Sequence, residues 1–478
     1  LVEGKALKKI LVGVCKMVVV LVLSVTASCA PRSSPTPAIT TTPTARITST
    51  ANYSTSTPTI AAINPHVDIQ KLDGLQIRFM HPWTGESLKL LFHMVDQFNQ
   101  TNEWGIHVIM QAPGSAARVS EKIHEELTNQ IASNVLVAPV SLLLAIDERF
   151  QQVVDLSGYI ASPLYGMDPS LVNDFHQAFW DEGVVDGKLM GIPAQRSALL
   201  LAYNHTWGQE LGFTSIPDTP AEFRRQVCAA NASFRKDADT ANDGLGGWIL
   251  NTDAVSMLNW LLVFGANPYS NGGFTFSTPS SQDALTYLYG LKTDACAWVN
   301  RSAADAERFS RRETLVYSLW LQELDRQVAA MERSGSKDEW MLMTYPDGMK
   351  GQVLTQGSSY AVLHKDAESD LAAWLFIRWL SQPAQQFRLL TASGTLPLGS
   401  QVMTQMEEYG AEHPHWLQIV NSLTRFTTPP VNADWQVIAP VLEDAGWQLW
   451  MGGTKEDEIT GLLAQMDDLV VELAERYP

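Results

Sequence analysis

The sequence predicts an α/β protein of two lobes, and three observations carry that prediction. A strand-helix-strand unit opens the folded part near residue 75. Short apolar strands then keep alternating with helical stretches, the pattern of sheets covered by helices. Finally, the stretch from about residue 66 to 478 is too long for one compact core.

Taken in chain order, Leu75 to Met80 reads as a strand running into His81-Pro82-Trp83-Thr84-Gly85-Glu86. Leu88, Leu91, Phe92, Val95 and Phe98 follow at helical spacing, and Ile106 to Met110 alternates as a second strand. Further strands are expected at Asn134 to Pro139, Met190 to Pro193, Ala198 to Tyr203 and Tyr360 to Leu363, in parallel sheets, with a helix over Phe309 to Leu315. The final helix carries Thr454 and Asp457 as a capping box and Ile459, Leu462, Leu463, Met466, Leu469 and Leu473 on one face.

The N-terminus reads as an export signal. Lys5, Lys8 and Lys9 precede an apolar run, Ile10 to Leu23, broken by Lys16 and followed by small residues up to Cys29. The run is shorter than the roughly 20 residues a spanning helix needs. Val25-Thr26-Ala27-Ser28-Cys29 resembles the cleavage box of bacterial lipoproteins, which implies lipid attachment at Cys29 and anchorage outside the cytoplasm; a plain signal peptide cut near the same place is the alternative. From Pro31 to about Pro65, Ser, Thr, Pro and Ala dominate, a composition that buries no core and reads as a disordered, extended leash.

Charge narrows the partners. The chain holds 33 basic and 51 acidic residues, and the four Lys and one Glu of residues 1–28 leave a body of net charge near −21. Such a body argues against nucleic acid and against electrostatic adhesion to anionic lipid. Beyond Cys15 in the signal and Cys29, only Cys228 and Cys296 remain, and in an oxidising compartment one disulfide explains the pair better than two free thiols. Cys-x-x-Cys, His-Glu-x-x-His and Gly-x-x-x-x-Gly-Lys are absent from the sequence, so it carries no metal, redox or nucleotide mark and no cofactor is expected. Asp237 to Gly244 alternates carboxylates before a Gly, but Ala241 occupies a ligand place and no Glu closes a twelve-residue loop, so a solvated Asx-rich turn is expected rather than a calcium site.

Several landmarks in order resemble the extracellular solute-binding proteins of ABC importers, family 1, the maltodextrin-binding type. They are His81 to Gly85, Val154-Asp155-Leu156, Gly187 to Pro193 with Leu199 to Asn204, and Pro217 to Phe223 with its Pro-x-Thr-x-x-Glu-Phe form. Gly246-Gly247-Trp248, Gly357 to Leu363, Ala372 to Trp379, Gly394 to Pro397 and Gly452-Gly453-Thr454 complete the series. The resemblance implies a two-lobed periplasmic-binding-protein-like fold of type II with the ligand cleft between lobes: lobe I about 68–194 plus 358–397, lobe II about 195–357 plus 398–478. It further implies a monomer that binds a small solute by hinge closure, hands it to permease subunits in the membrane, and breaks no bond.

A pyranose shows apolar C–H faces and a rim of hydroxyls, and so suits flat aromatic walls with planar polar side chains beside them. Trp83 follows a strand at its carboxyl end, where open α/β sheets bind ligands, and reads either as cleft wall or as loop packing. Gln195, Arg196 and Ser197 interrupt an apolar stretch at the first implied crossing, where the family places polar ligand contacts. Trp260 stands where relatives carry cleft aromatics, among neighbours that equally suit core burial, and Trp435 is a similar case. Gly357 and Ser358 offer backbone N–H groups and a hydroxyl before the next crossing strand, or simply open that strand. Ser318 and Trp320 stand where relatives have a Gly-rich ligand loop, from which Ser-Leu-Trp-Leu departs; Trp374 and Trp379 read as core. Arg196 also raises an anionic ligand, since a guanidinium pairs with phosphate or carboxylate through two bonds, and relatives bind glycerol phosphodiesters too. The competing class is an exported glycosidase, which needs two carboxylates flanking the scissile bond. Glu86, the one carboxylate beside a cleft motif, is better explained by the N-terminal charge of a helix.

Overall fold

The computed structural model describes residues 67–476 apart from 271, 301, 303, 348–351 and 452. The expected signal, the Cys29 attachment site and the leash lie outside the described residues.

Strand β1 (Gln76–Met80) leads through His81 to Thr84 into helix α1 (Gly85–Thr101), and β2 (His107–Gln111) returns parallel to β1 with Gln76 opposite His107. Helix α1 buries Leu91, Met94, Val95 and Phe98; Phe92, expected on that face, is 58% exposed because it falls one position off the i, i+3, i+4 stripe. Helix α2 (Ala116–Thr128) precedes β3 (Val135–Ala138), which pairs parallel with β1, and α3 (Val140–Phe150) follows directly. Strand β2 is the sheet edge, and there the Asn99 side-chain amide bonds both the N–H and the C=O of Val108, closing the backbone positions a foreign strand would use.

After the short helix α4 (Gln177–Glu182), the two strands expected at 190–193 and 198–203 are one, β4 (Ile192–Asn204), 13 residues long with the polar triplet in its middle. Helix α5 (Pro220–Phe234) starts as its sequence asks: Pro220 stands at the first turn, the Thr219 hydroxyl accepts the Glu222 N–H, and Glu222 accepts the Asp218 N–H. Strand β5 (Trp248–Ile249), helix α6 (Ala254–Val263) and strand β6 (Ala297–Trp298) come next. Cys228 of α5 is disulfide-bonded to Cys296.

The helix expected over 309–315 lies earlier, at Asp305–Ser310. Arg312 then takes a left-handed backbone (φ 59°), its guanidinium held by Asp338 and Glu210, and this turn releases the chain into β7 (Val316–Trp320). Strand β8 (Trp340–Met343) and the 11-residue β9 (Gln352–Val362) follow, then helices α7 (Ala367–Leu380) and α8 (Pro383–Ser393), strand β10 (Arg425–Thr427), helix α9 (Trp435–Met451) and helix α10 (Ile459–Arg476). The expected Thr454 and Asp457 capping box is replaced: the Thr454 hydroxyl donates to the Gln448 carbonyl, while Glu458 accepts the Lys455 N–H one turn before α10. Leu469, expected on the buried face of α10, is exposed.

The principal sheet runs β6-β5-β7-β4-β9-β3-β1-β2, with β8 on β4 and β10 on β9. It is mixed rather than parallel. Parallel pairs join β1 with β2 and β3, and β5 with β6 and β7, whereas β4 and β9 run antiparallel to each other, β4 antiparallel to β7 and β8, and β9 antiparallel to β3 but parallel to the short β10. The buried side chains gather in separate clusters. One buried cluster holds Ile77, Phe98 and Phe376 together with Phe309, Tyr317 and Trp416, while a second is built from Phe223, Trp248, Trp260, Leu442 and Leu463.

Candidate functional site: the crossing strands and Trp83

Strands β4 and β9 meet as a two-stranded bridge, with Ala198 opposite Thr355, Ser197 opposite Gln356, Arg196 opposite Gly357 and Gln195 opposite Ser358; the register shifts between Ser358 and Ser359. The parallel strands of the first lobe point their carboxyl ends at this bridge, delivering Trp83 beside it. The Trp83 indole N–H donates to Gln195 Oε1, so the structure brings these two candidates together, but Trp83 itself is packed into the first core cluster and is only 9% exposed. Gln195, Gly357 and Ser358 are half-buried and Gln356 is exposed, so amide and hydroxyl groups of the bridge meet solvent. A shallow recess open to solvent adjoins Trp83 and Gln195, its polar lining Ser87, Gln195, Gln386, Ser393 and Thr395.

Arg196 is placed otherwise than the sequence suggested. It is 0% exposed. Its Nη1 donates to the carbonyls of Gln195 (2.8 Å) and Ser358 (2.6 Å), and its Nη2 donates to Ser359 Oγ (3.2 Å). Nη2 also lies 2.8 Å from Glu182 Oε2 as a charge contact outside hydrogen-bond geometry, and the guanidinium sits over the Phe179 ring. Burial pushes the Glu182 carboxyl above its usual range, and the Arg196 charge offsets that in part. Arg196 is thus a strut tying β4, β9 and α4, and the anionic ligand it suggested loses its carrier.

Gly357 is required by the same close packing: a Cβ there would stand 1.8 Å from the Gln195 carbonyl oxygen and 2.7 Å from Arg196 Cδ. Gly357→Ala is expected to lower stability by about 1–3 kcal/mol, since the crossing strands must part to admit it. Denaturant unfolding of the variant checks this.

Ser197 is buried, its Oγ without a partner among the described residues. Trp260 is fully buried against Phe223, Trp248 and Tyr345, edge to face with all three, and belongs to the second core, not to the cleft. Trp435 is likewise buried and stacks on Phe274. Its neighbour Gln436 instead donates to Ser141 Oγ at the start of α3 (2.9 Å). Trp320 is half-buried at the end of β7, and Ser318 Oγ shares a hydrogen bond with the Tyr345 hydroxyl. Trp374 is core and Trp379 is packed against it.

Two buried groups beneath Trp83 escaped sequence reasoning. His81 stacks under the indole (5.5 Å between centroids, 30°) and Tyr360 meets it edge-on (6.2 Å). The only trace in the sequence is the period-two run Phe79, His81, Trp83, which puts three rings on one side.

Among the described residues the one metal-like grouping is Cys228, Asp294 and Cys296, whose sulfurs are consumed by the disulfide. In the Asp237 to Gly244 loop, Asp237 and Asp239 each accept the backbone N–H two residues on, and the segment is an exposed pair of Asx turns. No helix among the described residues is long and apolar enough to cross a membrane.

A family profile described as bacterial extracellular solute-binding protein matches residues 93–414. No curated protein sequence matches the chain. Among solved structures, the sugar-binding protein MalE of Xanthomonas citri is 20% identical, with TM-score 0.69 over 84% of this chain and 98% of its own. The cyclic α-maltosyl-1,6-maltose binding protein of Arthrobacter globiformis is 17% identical, with TM-score 0.68 over 83% and 99%. UgpB of Mycobacterium tuberculosis, solved with glycerophosphocholine, is 16% identical, with TM-score 0.67 over 84% and 98%.

Proposed function

The chain belongs to the bacterial extracellular solute-binding proteins, and from that premise we propose that it is the receptor of an ABC importer for a neutral mono- or oligosaccharide. In this reading it is exported, held at the membrane by lipid on Cys29, and closes lobes of about 68–194 plus 358–397 and 195–357 plus 398–478 on its ligand. It then presents the closed complex to permease subunits, and no bond of the solute is broken.

The observation that carries the saccharide reading is Trp83 bonded to Gln195 on the crossing strands, where Ser358 stands opposite Gln195 in the register. A flat indole covers the C–H face of a pyranose, while amides and a hydroxyl at its edge match the sugar's rim. The interlobe bond from Gln436 to Ser141 supports closure, since it joins α9 to α3 across the gap. The neighbour solved with glycerophosphocholine gives the second reading, a glycerol phosphodiester. Against it stands Arg196, whose guanidinium is spent inside the protein.

Thermal unfolding against a panel of mono- and oligosaccharides, with glycerophosphocholine and amino acids as controls, tests the proposal. A bound solute raises the midpoint in proportion to the logarithm of its concentration over Kd. One saccharide class is expected to do so, and Trp83→Ala is expected to weaken that response by about 2 kcal/mol, roughly thirtyfold in Kd. A shift confined to glycerophosphocholine would replace the saccharide reading with the second one.

A further inference from the structure

The ground beneath Trp83 holds polar groups that nothing among the described residues satisfies. Strand β1 and the residues after it set Phe79, His81 and Trp83 on one side, with Phe79 and His81 ring centroids 5.1 Å apart and the indole stacked above the imidazole. His81 is 0% exposed and both of its ring nitrogens lack a hydrogen-bond partner among the described residues; Tyr360 is 2% exposed and its hydroxyl lacks one as well. Buried polar atoms are normally paired, because an unpaired one forfeits its hydration without return. Three such atoms on two residues that both touch one indole form a cluster, and Trp83 covers it.

That indole is fastened by a single polar bond, to Gln195. Turning Trp83 about its side-chain torsions breaks this bond, opens the ground beneath, and frees the Gln195 amide in the same motion. We infer that Trp83 is the movable cover of a binding subsite for one neutral, hydroxyl-bearing group of the solute, with His81 and Tyr360 as its polar contacts and Phe79 as its apolar base. The inference rests on the saccharide reading above and deepens it.

The chemistry selects the occupant. Burial holds His81 neutral, with its pKa pushed down to about 4, so the ring offers one donor and one acceptor nitrogen, and Tyr360 adds a hydroxyl that donates or accepts. A sugar hydroxyl both donates and accepts and pairs with this set. A carboxylate or ammonium entering the same ground finds no opposite charge among these groups, and its desolvation goes uncompensated.

Tyr360→Phe is the decisive variant, because it removes the hydroxyl and keeps the shape. Its ligand-free thermal midpoint is expected to stay level or rise, since an unpaired buried group is lost, while affinity for the saccharide that the wild-type protein binds falls about tenfold. His81→Phe is expected to lower the same affinity by a similar factor. If the wild type binds a saccharide and both variants bind it equally well, the subsite is refuted and the receptor reading stands. A lowered ligand-free midpoint in Tyr360→Phe also refutes it, by showing the hydroxyl to be partnered in the free protein. If no saccharide shifts the wild type, the receptor reading fails first and the subsite falls with it.

Discussion

Replacing Arg196 with Met is expected to lower the folding stability by about 3–5 kcal/mol, the cost of leaving a buried charge without its partner. The stranded group is Glu182, whose side chain is 8% exposed and whose carboxyl is already raised by burial. The same change removes the bonds from Arg196 to the Gln195 and Ser358 carbonyls, which hold the two crossing strands together. Denaturant unfolding of Arg196→Met, Glu182→Leu and the double variant separates the contributions. The double variant should recover a substantial part of the loss, because replacing both members of a buried pair by apolar groups avoids an unpaired charge. The Arg196→Met deficit should also shrink as pH falls, since Glu182 can then take up a proton and shed its charge. A single variant as stable as the wild type would show that the strut does not hold the bridge.

The second large effect is an acid-side loss of stability centred on His81. Its folded pKa lies at about 4, below the ordinary 6.5, and the cause is burial. The sign follows from which state binds the proton. Above pH 6.5 the imidazole is neutral in both states and the stabilisation is fully present. Between 6.5 and about 4 the unfolded chain takes up a proton that the folded one refuses, so stability declines, by about 3 kcal/mol over the whole interval. His176 and His415 are lowered by burial too and add to the slope. The raised carboxyls of Glu182, Asp305 and Asp370 act in the opposite direction, because the folded protein holds their protons more tightly. The comparison that isolates His81 is therefore the pH dependence of wild type against His81→Phe. The variant should lose the His81 share of the decline, and parallel curves would contradict the assignment.

What the sequence made legible, and what it hid, follows from the range of the forces involved. Apolar periodicity and local turn chemistry act over a few residues, and they located β1, α1, β2, β3 and the Pro220 start of α5 within a residue or two. The pairing of Trp83 with Gln195 spans 112 positions, beyond the reach of any local pattern, so the two stood in the sequence as separate candidates. Arg196 misled because a guanidinium in an apolar strand reads as functional, while the carboxylate that neutralises it sits 14 residues earlier on another element. Trp260 and Trp435 misled in the opposite way: an indole serves core and cleft equally well, and only burial against Phe223, Trp248 and Phe274 tells them apart. The merging of two expected strands into β4 was hidden by the polar triplet, which interrupts the apolar pattern in the middle of the strand. His81 was passed over because its meaning lies in what does not touch it, which a sequence cannot express.

The central claim is that the two lobes close on a saccharide held at Trp83 and the crossing strands. Small-angle X-ray scattering of the protein alone and at saturation with the saccharide that raises its thermal midpoint tests that claim most directly. The account predicts a smaller radius of gyration in the complex, with a scattering curve that approaches the one calculated from a structure in which Gln436 reaches Ser141. An unchanged radius and curve at proven saturation would contradict it, for the solute would then be bound without closure.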